Sequence, residues 1–91
     1  MNGKIVFVVP DKKLADLSKK VINELNEDIE VYQGSFSKGL IHARRAINDG
    51  ANIIISRGGT AELIKRNVNI PVVNIEFGSF DVINSIDKAT G

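Results

Sequence analysis

With 91 residues and a formal net charge of +1, from 12 basic and 11 acidic side chains, the chain carries no long-range field that would draw it to nucleic acid or an anionic membrane. Its hydrophobic share of 43% and charged share of 25% are those of an ordinary soluble globular domain, and one this small buries only about 60–65% of its unfolded surface, so a partner would add stability. The absence of cysteine excludes disulfides, thiolate catalysis and cysteine-ligated metals.

Met1-Asn2-Gly3-Lys4 leads into only five consecutive apolar residues, too few for a signal peptide or a membrane span, so a cytoplasmic location is expected. Those five, Ile5 to Val9, form an unbroken β-branched and aromatic run closed by Pro10, as in a central parallel strand buried on both faces. Asp11 is placed to cap a helix in which Leu14, Leu17, Val21, Ile22 and Leu25 make the apolar stripe, with Lys12, Lys13, Asp16, Lys19, Lys20 and Glu24 opposite. Ile29 to Gln33 alternates and suits a strand nearer the edge, ended by Gly34-Ser35. Phe36, Leu40, Ala43 and Ile47 mark a second helix, stopped at Asn48-Asp49-Gly50.

Ile53-Ile54-Ile55 reads as the third strand, and Thr60 to Asn67 as a short helix burying Ala61 and Ile64, with Leu63 and Val68 beside them. Pro71 opens a fourth strand, Val72 to Ile75, and a last helix is expected from about Ser79 to Lys88, burying Phe80, Ile83 and Ile86. With no repeat, low-complexity tract or linker, residues 1–91 read as a single α/β unit. The alternation predicts a flavodoxin-like three-layer α/β sandwich with a four-stranded parallel sheet of order 2-1-3-4. Its switch point lies between the first and third strands, where open α/β sheets hold ligands beyond the carboxyl ends of the strands.

Ser56-Arg57-Gly58-Gly59-Thr60 falls at that point, joining the third strand directly to a helix. A helix start offers free backbone N–H groups and a positive dipole end, glycines let a ligand approach closely, and an arginine adds a planar donor for carboxylate or phosphate. The turn therefore outlines an anion pocket in which Arg57 pairs with a carboxylate and the N–H groups of Gly58, Gly59 and Thr60 donate to a second set of oxygens. Ser56, Asp11, Ser35 and Ser79 are further candidates by loop position. The bland alternative is a tight strand-to-helix turn capped by Gly59 or Thr60. Glu62, three residues after Gly59, reads as serving that turn or pairing with Arg57.

Other chemistries lack their residues. No GxxxxGK[ST] phosphate loop occurs, the first turn has no glycine for a dinucleotide fingerprint, and Ser56 stands where a receiver domain would carry its phosphoacceptor aspartate. The lone histidine, His42, has neither a cysteine nor a second histidine to build a metal site or a triad with, and reads as a boundary residue. No metal or other cofactor is expected.

The run Asn52-Ile53-Ile54-Ile55-Ser56-Arg57-Gly58-Gly59-Thr60-Ala61-Glu62-Leu63-Ile64, then Ile70-Pro71-Val72-Val73-Asn74-Ile75 and Phe80-Asp81-Val82, resembles the N-terminal sensory domain of propionate-catabolism activators, the PrpR family of sigma-54-dependent transcriptional regulators. The resemblance implies a ligand-sensing domain, without catalysis, ahead of a AAA+ ATPase and a DNA-binding helix-turn-helix in a parent regulator. It also implies a small polycarboxylate such as 2-methylcitrate as the signal. Family sensors have a second α/β lobe closing a cleft against the first, so the chain is expected to be a fragment or one lobe of such a sensor. Gly78-Ser79-Phe80-Asp81 departs from the family's Ser-Gly-Tyr-Asp by a tyrosine hydroxyl. The fourth strand is expected to leave an open sheet edge that favours a homodimer. Two rival readings stay open: an interaction or dimerisation module whose glycine turn is structural, and a small enzyme on a phosphorylated or carboxylated substrate with Asp11 or Glu62 as base.

Overall fold

The computed structural model describes residues 3–75. Strands β1 (Lys4–Val9), β2 (Glu30–Gln33), β3 (Ala51–Arg57) and β4 (Val72–Ile75) alternate with helices α1 (Lys12–Glu24), α2 (Ser37–Asn48) and α3 (Gly58–Asn67). Every pairing is parallel and the strand order is β2-β1-β3-β4, as the alternation predicts. The helix expected over residues 79–88, with Ser79, Phe80, Ile83 and Ile86, lies outside the described residues.

The continuous apolar run of β1 is explained by burial on both faces, since Val6, Phe7, Val8 and Val9 are all fully buried. Successive side chains point to opposite sides. Ile5, Phe7 and Val9 pack with Leu14, Ala15, Val21 and Ile22 of α1, while Val6 and Val8 pack with Ala43 and Ala46 of α2 and Ile64 of α3. Helix α1 thus covers one face and the α2–α3 pair the other, which gives the three layers.

Asp11 caps α1 as expected: its Oδ1 accepts the Leu14 N–H at 2.7 Å. At the other end Asn26 takes φ 56°, its N–H donates to the Asn23 carbonyl and the Glu27 N–H donates to the Ile22 carbonyl, each at 3.1 Å. That is a Schellman closure with asparagine where glycine is commoner. Leu25, expected on the buried stripe, is 42% exposed because it is the C-cap, one residue past the helix; Ser18, on the same face as Leu14 and Val21, is buried.

Phe36 also departs from its expected stripe. It precedes α2 at the N-cap with φ 48° and ψ −116° and is 59% exposed, so helical spacing does not govern it. The buried residues of α2 are Gly39, Ala46 and the expected Ala43, with the expected Leu40 half-buried against the same core. The glycine and alanines let the helix sit close: a Cβ on Gly39 would lie 2.6 Å from Thr60 Cγ2 and 2.9 Å from the Gly34 carbonyl oxygen. In β3 the register shifts between Lys4↔Ala51 and Ile5↔Ile53, so Asn52 is the extra residue of a bulge, and its Oδ1 accepts the Lys4 N–H at 2.9 Å. The strand runs two residues past Ile55 because β4 continues to pair with it, Ser56 opposite Asn74 and Arg57 opposite Ile75. Helix α3 accordingly begins at Gly58 rather than Thr60.

Candidate site at the carboxyl ends of β1 and β3

At the carboxyl edge of the sheet the end of β1, the β2–α2 loop and the β3–α3 turn meet. Arg57 is the N-cap of α3, in extended conformation and without a side-chain cap. The two glycines that follow are required for different reasons. Gly58 has φ +59°, a left-handed torsion that L side chains resist, and open space around it. Gly59 is required by space, because a Cβ there would lie 2.7 Å from Cε1 and 2.9 Å from Cζ of Phe36. The exposed Phe36 ring therefore lies against Gly59.

The first turn of α3 is tied to β4 and to the β2–α2 loop. The Gly58 N–H donates to Asn74 Oδ1 at 3.0 Å, and Asn74 Nδ2 reaches Glu62 Oε2 at 3.4 Å, so Glu62 serves the turn through a β4 amide. Thr60, buried, accepts the Phe36 N–H on Oγ1 at 2.9 Å. The Ser35 hydroxyl donates to the Pro10 carbonyl at 3.0 Å, linking the β2–α2 loop to the end of β1.

At the rim an arginine and an aspartate bring opposite charges together. Arg57 Nη1 lies 3.7 Å from Asp11 Oδ2, with 28% of the arginine and 50% of the aspartate side chain exposed. Asp11 thus divides its carboxylate, one oxygen capping α1 and the other facing Arg57. Ser56 sits lower, fully buried, and its Oγ has no hydrogen-bond partner among the described residues. Strand alternation puts it on the side of Ile54 and the α2–α3 layer, away from Arg57.

Of the residues expected at the site, Asp11, Ser35, Arg57, Gly58, Gly59 and Thr60 converge on this edge, Ser56 lies beneath it, and Ser79 is outside the described residues. Asn74 and Phe36 were not foreseen there. Asn74 had a readable signal, the one polar residue in an otherwise apolar strand. Phe36 had none, since its place depends on a contact with Gly59 across the β2–α2 loop.

His42 is half-buried and stacks on Tyr32, ring centroids 5.3 Å apart and 17° between planes, as suits a boundary residue. Among the described residues no cluster of three or more metal-ligating side chains occurs, and no helix is long and apolar enough to cross a membrane.

The family model PrpR_N, described as propionate catabolism activator, matches residues 23–91. That span includes β2, α2, β3, α3 and β4, and starts within α1, beyond Asp11. No curated protein matches the chain.

Proposed function

Because this chain belongs to PrpR_N, the N-terminal sensory domain family of the propionate catabolism activator, a regulatory and not a catalytic family, we propose that it binds a small organic acid of the 2-methylcitrate kind at the carboxyl ends of β1 and β3. The observation that carries this reading is the partly exposed Arg57 beside the first turn of α3. Arg57 pairs with one carboxylate. The N–H groups of Gly59 and Thr60, in a first turn that has no intrahelical acceptors, donate to a second. The Gly58 N–H joins them when Asn74 yields it. Ser35, whose hydroxyl proton goes to the Pro10 carbonyl, is at the rim to accept a bond from a hydroxyl of the acid, Ser79 is a secondary candidate from its place in the sequence, and Ser56, buried in β3 on the side away from Arg57, is set aside as a contact.

In this reading the acid acts on a AAA+ ATPase and DNA-binding domains of the parent regulator, and the chain is one lobe of a two-lobed cytoplasmic sensor. The test is a thermal-shift and calorimetric titration of the chain with citrate, 2-methylcitrate, propionate and phosphate, with Arg57→Ala alongside. Loss of a charge-assisted pair is worth about 1.5–3 kcal/mol, toward the lower end at a partly exposed site, so affinity should fall roughly tenfold or more. Binding that Arg57→Ala leaves unchanged would discard the assignment.

A second reading, a protein-interaction module, draws on the exposed Phe36 and Ile41 at the start of α2, 59% and 52% accessible. It predicts self-association, read by size-exclusion chromatography, that organic acids leave unaltered.

A further inference from the structure

The Arg57 guanidinium faces a carboxylate of the protein itself. Asp11 Oδ2 stands 3.7 Å from Arg57 Nη1 across the gap between the ends of β1 and β3, and the aspartate is kept there by its other oxygen, which holds the Leu14 N–H at 2.7 Å. The cap fixes the position of the carboxylate whether or not a ligand is present, so it acts at a high effective concentration. Half of the aspartate side chain is exposed, so water can take over its Oδ2 once Arg57 turns to another partner.

We propose that Asp11 is a resident competitor for Arg57, so that an organic acid binds by exchanging its own carboxylate for that of Asp11, and the aspartate sets the affinity of the site instead of contributing to it. The inference rests on the Arg57 site proposed above and reverses the role that loop position alone suggests for Asp11. Two features favour it. A carboxylate cannot donate to an acid anion, so in contact with the ligand Asp11 would only repel it. Its cap also ties the exchange to α1, because the same side chain holds the first turn of that helix.

Asp11→Asn separates the roles, since asparagine caps a helix about as well as aspartate but carries no charge. A partly exposed ion pair is worth about 0.2–1 kcal/mol, so the variant should bind citrate roughly 1.5- to 5-fold more tightly than the wild type at low ionic strength. The advantage should shrink as salt is raised. Titration calorimetry of wild type, Asp11→Asn and Arg57→Ala with citrate reads this directly. In the ligand-free protein, the Arg57 guanidinium NMR signals should shift on Asp11→Asn.

Citrate binding by the wild type with equal or weaker binding by Asp11→Asn would overturn the competitor role while leaving the Arg57 site standing. Guanidinium signals identical in the two proteins would refute the resident pairing without any ligand. Citrate binding that Arg57→Ala does not weaken, or no binding by any variant, would overturn the site itself and this assignment with it.

Discussion

Replacing Gly39 by alanine sets two effects of opposite sign against each other at one buried position. Alanine inside a helix is favoured over glycine by about 1 kcal/mol, so propensity alone predicts a more stable protein. The added methyl, however, would stand 2.6 Å from Thr60 Cγ2, 2.9 Å from the Gly34 carbonyl oxygen and 3.3 Å from Val8 Cγ1. None of the three yields easily. Gly34 is backbone whose own N–H is bound to the Val9 carbonyl at 2.8 Å, Thr60 is held by the Phe36 N–H, and Val8 is a fully buried residue of the central strand. Overpacking of this kind costs typically 1–3 kcal/mol, and with two approaches below 3.0 Å the upper half of that range applies. The net expectation for Gly39→Ala is a loss of about 1–2 kcal/mol, or roughly 5–15 °C in Tm for a domain of this size. Urea denaturation followed by circular dichroism measures it, with an unchanged m-value confirming that folded-state packing is the cause. A variant as stable as the wild type, or more so, would refute the claim that α2 rests on the sheet and α3 through a glycine contact.

Asn26→Gly should stabilise the chain by about 0.5–1 kcal/mol, since glycine takes the left-handed torsion of the α1 closure without the Cβ penalty; thermal unfolding that shows no gain would contradict it. Stability should also fall above about pH 10. The Glu30 carboxylate bonded to Lys4 raises its ammonium above the ordinary 10.5, and loss of hydration raises the Tyr32 phenol above its ordinary 10.0. Folding favours the protonated form of both, so their contributions are complete below the unfolded values and are lost as pH rises through the higher folded ones. Melting temperatures across that range check it: Tyr32→Phe should lessen the decline, and a flat profile would exclude both effects.

The fold was legible wherever a hydropathy pattern has a single physical reading. An unbroken run such as Val6 to Val9 is compatible with a doubly covered strand, and the polar residue before a periodic stretch marked Asp11 as a cap. Legibility failed where a residue's state is set by a partner distant in sequence. Ser56 and Arg57 look like a loop, yet they pair with Asn74 and Ile75 of β4, which moves the start of α3 to Gly58. Phe36 matches the helical spacing, yet it lies one residue before the helix, where its ring finds the missing Cβ of Gly59. At the site, sequence placed Arg57 and its glycines by strand ends and topology, but not the division of labour between them. Nothing in Gly58-Gly59 tells torsion from space, and nothing in Asn74 tells that it would take the Gly58 N–H.

The bulge at Asn52 decides more than the pairing of its own strand. Ile53, Ile54 and Ile55 carry identical side chains, so for them a slip of one position is a silent frame error: three isoleucines still meet apolar neighbours on either side. The error becomes audible only at the end of the strand, where it would turn Arg57 under the α2–α3 layer that now buries Ser56 and bring the hydroxyl out beside Asp11. The observed frame is marked by the Asn52 amide, whose oxygen accepts the Lys4 N–H where one residue is looped out of the ladder. The register that sets which face receives the guanidinium thus carries its mark at the opposite end of β3, about 17 Å away.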